Sequence, residues 1–179
     1  EVLRPGGVDG EARAHPQGVV AVLGPYNYPA HLMNAHIIPA LLTGNTVVMK
    51  PSEHTPWAGE LYAACFREAG LPRGVVNLVQ GRGDVGRALV VHPDVDAILF
   101  TGSWGTGRAI LEATLDSPHK LVALEMGGKN IAVVLDDADP LQALSSVLQG
   151  AFLTTGQRCT ATSRVLVHQR IFDRFVDAL

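Results

Sequence analysis

Cysteine is scarce in this chain: its 179 residues hold two, Cys65 and Cys159. That is too few and too unpatterned for a disulfide framework or a zinc site, so the expected setting is a reducing compartment, the cytoplasm, with each thiol acting singly. Blocks of like charge are also lacking. With 14 Lys+Arg spread against 17 Asp+Glu, no basic stripe is offered to nucleic acid or to an anionic membrane surface. No run approaches the roughly 18 apolar residues of a membrane helix, and the opening EVLRPGGVDGEARAHPQG has no signal-peptide core. Residue 1 is not methionine, so the natural start is expected upstream.

What is present is a rhythm. From Gly18 onward, short β-branched runs (GVVAVLG, NTVVMKPS, GVVNLVQG, DAILFTGS, KLVALEMGG, IAVVLDDAD) alternate with helical segments of about ten residues or more. Continuous apolar strands separated by helices predict an α/β doubly wound fold with a largely parallel sheet covered on both faces. Breaks have local causes. Gly70 and Pro72 stop one helix, Gly44 and Asn45 stop another, and Asp139 before Pro140 reads as a cap followed by the first helical residue. Residues 1–16 lack the rhythm and read as a linker or arm. Arg164–His168 reads as a strand and Gln169–Leu179 as an amphipathic helix.

Several strand ends carry residues with chemical uses. In DAILFTGSWGTGRAI, Gly102, Ser103, Gly105 and Gly107 lie where a buried strand meets a helix, whose free amides favour phosphate; alternatively, the glycines serve only a tight turn. VVMKPSEHTPW sets Lys50 and Glu53 just past another strand, where a carboxylate can accept bonds from ribose hydroxyls and repel a 2′-phosphate. The competing reading makes Ser52, Glu53 and Thr55 caps of the next helix. Asn27 in LGPYNYPAHL is either a turn former or a fixed N–H donor to an oxyanion. Glu125 in LEMGGKN is either solvated or a general base facing a nucleophile. Trp57, Leu61 and Cys65 recur every four residues, which puts Cys65 on the expected buried face of its helix as a small core hydrophobe. Cys159 instead follows an apolar helical run that ends at Thr154, and lies in the polar stretch TTGQRCTATS beside Arg158, a setting that favours a nucleophilic thiolate.

Taken together, GPYNYP, KPSE, FTGSWGTG, LEMGGKN and GQRCTA, in that order, resemble the aldehyde dehydrogenase superfamily across nearly the whole chain. The resemblance implies an NAD-binding domain over residues 17–127, the beginning of a second α/β catalytic domain over 128–179, and residues 1–16 as part of an oligomerisation arm. It implies that Cys159 attacks an aldehyde as thiolate, Asn27 and the Cys159 N–H hold the oxyanion, and Glu125 activates the water that hydrolyses the thioester. Lys50, Glu53, Gly81, Gly102, Ser103 and Gly107 become cofactor-binding residues for NAD, with NADP left open. Metal is not implied. The PAHL run with His31, Asn34 and His36, and the Met of LEMGG, resemble the branch acting on succinylglutamate semialdehyde in arginine breakdown; another semialdehyde or aliphatic aldehyde is the alternative. The partners implied are a small-molecule aldehyde and further copies of the chain as a homodimer or homotetramer. The family's catalytic domain continues beyond its cysteine, so this chain is expected to be part of a longer enzyme. A CoA-acylating enzyme and a silent nucleotide-binding protein compete with that reading; Glu125 speaks against the first, and the joint presence of Cys159, Asn27 and Glu125 against the second.

Overall fold

The computed structural model describes residues 2–3, 10–11 and 13–179. Of the expected arm, residues 1, 4–9 and 12 lie outside the described residues. Its described part includes a short antiparallel pairing of β1 (Val2–Leu3) with β2 (Gly10–Glu11). The chain divides into two compact units, residues 1–125 and 126–179.

In the first unit the β-branched runs form β3 (Val19–Leu23), β4 (Thr46–Lys50), β5 (Val76–Leu78), β6 (Ala97–Gly102) and β7 (Leu121–Met126). They make one sheet in the order β5-β4-β3-β6-β7. The central strand β3 runs parallel to β4 and β6, and β4 runs parallel to β5. Val20, Ala21 and Val22 are buried in succession, as a strand covered on both faces requires. The intervening segments fold as α1 (Pro29–Leu42), α2 (Pro56–Glu68), α3 (Gly83–Val91) and α4 (Trp104–Thr114). Met33 and Ile37 of α1 are fully buried and join Val20, Val22, Val47 and Met49 in the main core. The chain moves outward from β3 through β4 to β5, then returns to β6 on the other side of β3. This reversal puts a topological switch between β3 and β6, where parallel sheets open a crevice at the carboxyl ends of their strands.

The structure overturns the expectation for α2. Cys65 is exposed, as are Trp57 (78 %) and Leu61 (64 %). The inward face is Gly59 and Ala63, with Tyr62 and Phe66 packed beside the core. The cause is close approach: a Cβ on Gly59 would lie 2.6 Å from Pro51 Cγ, so α2 meets the sheet through its smallest residues and its large apolar ones turn outward.

Asn45 does more than stop α1. Its buried carboxamide accepts from the N–H groups of Gln17 (2.6 Å) and Gly18 (3.0 Å), and donates to Ala40 O (2.9 Å) and Thr43 Oγ1 (2.8 Å). It thereby ties the approach to β3 to the end of α1. Asn45→Ala strands these partners and is expected to cost about 2–4 kcal/mol, read as a lower urea midpoint at unchanged slope.

The second unit is a βαβ arrangement: β8 (Asn130–Val134), α5 (Pro140–Phe152) and β9 (Thr162–Val167), with the two strands parallel. Asp139 caps α5 as expected, its Oδ1 accepting from Gln142 N at 2.8 Å ahead of Pro140. Val134, Val147 and Phe175 form the core. The single helix expected over 169–179 instead starts as a 3-10 turn (Gln169–Ile171) and becomes α6 (Phe172–Ala178). His168 accepts a bond from Arg170 N at that start, which caps the turn.

Candidate active site

Within the first unit, the carboxyl ends of the strands gather most of the residues singled out above. Leu23, the last residue of β3, is in register with both Lys50 of β4 and Phe100 of β6. Gly24 follows, its N–H donating to Lys50 O at 3.0 Å. Its lack of a side chain is required, because a Cβ there would fall 2.7 Å from the sulfur of Met33. The loop then presents half-buried Asn27 just before Pro29 opens α1. Tyr26, next to it, meets His54 edge to face at 5.9 Å, so the loops after β3 and β4 touch.

Lys50 is buried along its length. Its Nζ donates to Pro51 O at 3.1 Å and lies 3.9 Å from Glu53 Oε2, whose side chain is 41 % exposed. Burial lowers the pKa of this ammonium, opposed by the carboxylates of Glu53 and Asp84. The helix-cap alternative for this loop does not hold, because no side chain caps α2. Ser52 Oγ accepts from His54 N at 3.3 Å, but Thr55, at the cap position of α2, makes no side-chain cap bond. Gly81, at φ +152°, takes a conformation that L side chains rarely adopt, just before α3. Gly102 ends β6, Ser103 caps α4 by accepting from Thr106 N at 3.3 Å, and Gly107 is buried one turn on. A Cβ at Gly105 would meet nothing within 4 Å, so the first turn of α4 is open to a bound group.

Glu125 is exposed near the end of β7, which begins beside β6 with Leu121 N donating to Asp96 O at 3.0 Å. Its electrostatic neighbour is His36, half-buried on α1, whose ring Nε2 is 2.9 Å from Thr101 Oγ1 on β6. Burial lowers the His36 pKa and the Glu125 charge partly restores it. Sequence reading noted His36 only as part of a run; what places it at the site is its contact with Thr101, 65 positions along the chain, which no local spacing signals.

Cys159 belongs to the second unit and is exposed. Between α5 and β9, Thr154, Thr155 and Gly156 all take positive φ (56°, 54° and 67°), a rare conformation for β-branched residues that reverses the chain before the thiol. Asn130 Nδ2, at the start of β8, donates to Cys159 O at 2.7 Å and Ala161 O at 3.0 Å.

Among the described residues no cluster of His, Cys, Asp and Glu could hold a metal ion, and no helix is long and apolar enough to cross a membrane. The aldehyde dehydrogenase family model matches residues 3–179. Among curated proteins, N-succinylglutamate 5-semialdehyde dehydrogenase of Novosphingobium aromaticivorans is 50 % identical over 165 residues, 92 % of this chain and 35 % of that protein. Its namesake from Enterobacter sp. is 53 % identical over 161 residues, 89 % of this chain and 32 % of that one. Among solved structures, lactaldehyde dehydrogenase from Escherichia coli is similar with a TM-score of 0.89 at 42 % identity, covering 92 % of this chain and 35 % of that one. An NAD+ complex of aldehyde dehydrogenase from Bacillus cereus gives 0.88 at 44 % identity, over 93 % and 34 %. The chain spans about a third of the length of the curated relatives it matches.

Proposed function

This chain belongs to the aldehyde dehydrogenase family, and from that premise we propose that it carries the coenzyme-binding unit and the nucleophile of an enzyme oxidising an aldehyde to a carboxylate with NAD. The observation that carries the reading is the convergence of Asn27, Lys50, Glu53 and Ser103 on the carboxyl ends of β3, β4 and β6, with Glu125 on the neighbouring β7. The proposed substrate is N-succinylglutamate 5-semialdehyde, supported by the names of curated relatives at 50 % identity and above.

The residues present fit a dinucleotide. Ser103 Oγ already serves Thr106 N, leaving the leading amides of α4 to meet a pyrophosphate together with Gly102, while buried Gly107, its N–H donating to Ser103 O at 3.0 Å, holds the turn that presents them. Lys50 offers a donor, and the exposed Glu53 carboxylate an acceptor, to ribose hydroxyls. Gly81 shapes the turn into α3. When bound, NAD supplies the acceptor for the hydride that leaves the substrate carbon.

In the proposed mechanism the Cys159 thiolate adds to the aldehyde carbon, a C–S bond forming as the carbonyl π pair moves onto oxygen. The Asn27 carboxamide and the Cys159 N–H stabilise that oxyanion. After oxidation the carbon is a thioester. Glu125 removes a proton from water, the hydroxyl adds to the thioester carbon, and the C–S bond breaks to return the thiolate and release the carboxylate.

The test mixes the complete gene product with NAD and a panel of aldehydes including N-succinylglutamate 5-semialdehyde, following NADH and identifying the acid by mass. Absence of NADH with every aldehyde, or an acyl-CoA product when CoA is added, sinks the reading. A separate expectation concerns coenzyme choice. Replacing Glu53 by Gln removes a charge that opposes a 2′-phosphate, so kcat/KM with NADP relative to NAD is expected to rise about tenfold.

A further inference from the structure

We propose that Asn130 is the positioning residue of the nucleophile loop: its carboxamide clamps the peptides following Cys159 and thereby fixes how the thiol is presented. This inference rests on the reading of Cys159 as the nucleophile. Asn130 lies 29 residues from Cys159 and reaches it only because β8 and β9 pair in parallel. Its Nδ2 engages two carbonyls, Cys159 O at 2.7 Å and Ala161 O at 3.0 Å. Both hydrogens of one amide nitrogen can thus be committed to the turn that carries the thiol.

The surrounding sheet is built to hold that amide. Asn130 is in register with Thr162, but Ile131 is in register with Arg164, so β9 carries one extra residue, Ser163, at this point. Ser163 Oγ donates to Asn130 O at 3.1 Å, which binds the irregularity back to β8. A bulge at the mouth of a strand re-aims side chains, and here it sets the approach of β9 to the turn. Upstream, the chain enters the same turn through the left-handed residues Thr154, Thr155 and Gly156. The loop is therefore fixed on its entry side by backbone conformation and on its exit side by Asn130. Engaging the Cys159 carbonyl restrains rotation about its Cα–C bond, and so the direction of Cα–Cβ–Sγ relative to β8. It also gives the negative end of that carbonyl a donor, which lessens its opposition to charge on the adjacent sulfur.

The test uses Asn130→Ala and Asn130→Asp in the complete gene product. Asp keeps the size but cannot donate when ionised and sets negative charge against two carbonyl oxygens. Losing two bonds is expected to slow the first-turnover NADH burst about tenfold or more, with NAD affinity unmoved. Ser163→Ala is expected to slow it about threefold, whereas Ser163→Thr retains the hydroxyl and the rate. Independently of any aldehyde, Asn130→Asp is expected to change iodoacetamide labelling of Cys159 at least about threefold relative to Cys65, both read by peptide mass. Unchanged labelling and burst in Asn130→Asp, or equal behaviour of Ser163→Ala and Ser163→Thr, overturns the inference. If the unaltered protein forms no NADH, the functional reading fails, and the labelling ratio still decides whether Asn130 positions the thiol.

Discussion

Cys159→Ser is expected to lower the steady-state rate of NADH formation by about four orders of magnitude or more, the effect of removing a covalent nucleophile. The thiolate is the attacking species, and a serine hydroxyl at neutral pH has no comparable ionised fraction. The substitution is nearly isosteric, and the Asn130 bond to position 159 is made to the backbone carbonyl, which serine retains. Folding and NAD affinity are thus expected to survive, so the loss is chemical rather than structural. Cys65→Ser provides the contrast. That thiol is exposed on α2 in the first unit, outside the proposed machinery, and its replacement is expected to leave turnover within about twofold. Retention of a tenth or more of the rate in Cys159→Ser would remove the thioester from the proposed mechanism.

How far the sequence foretold this arrangement depends on the range of the interaction concerned. The strands were legible because Val, Ile and Leu run together in VVAVL and AILFTG, and burial on both faces of a parallel sheet demands that composition. The cap at Asp139 was legible because it depends on residues three apart. The orientation of α2 was not. The fourfold spacing of Trp57, Leu61 and Cys65 mimics a core stripe, and what turns it outward is contact between Gly59 and Pro51, set by how closely helix and sheet approach. Three further features arise between distant segments in the same way: the His36–Thr101 bond spans 65 positions, Asn45 joins the residues before β3 to the last turn of α1, and within the second unit Asn130 reaches Cys159 through strand pairing. The positive φ of Thr154 and Thr155 is also hidden from local reading, since threonine ordinarily avoids that region.

Glu125→Gln separates the two halves of the proposed reaction. Gln matches the carboxylate in size but cannot take a proton from water, so hydrolysis of the thioester is expected to slow by about 10²–10⁴-fold. Attack by Cys159 and hydride loss do not use the carboxylate. Each active site should therefore release one NADH in a burst near the normal rate and then stall, with the acyl group on Cys159 visible by mass. A second, spectroscopic consequence follows from the neighbour on α1. Burial lowers the His36 pKa, and the negative charge of Glu125 is the opposing influence that raises it. Removing that charge leaves burial unopposed, so the His36 ring is expected to titrate at lower pH in Glu125→Gln than in the unaltered protein, observed by its ring-proton NMR signals. A stalled burst with a lowered ring titration identifies Glu125 as both the hydrolytic base and the charge facing His36. Full turnover in Glu125→Gln would assign the base elsewhere, and an unmoved or raised His36 titration would break the electrostatic link between α1 and β7.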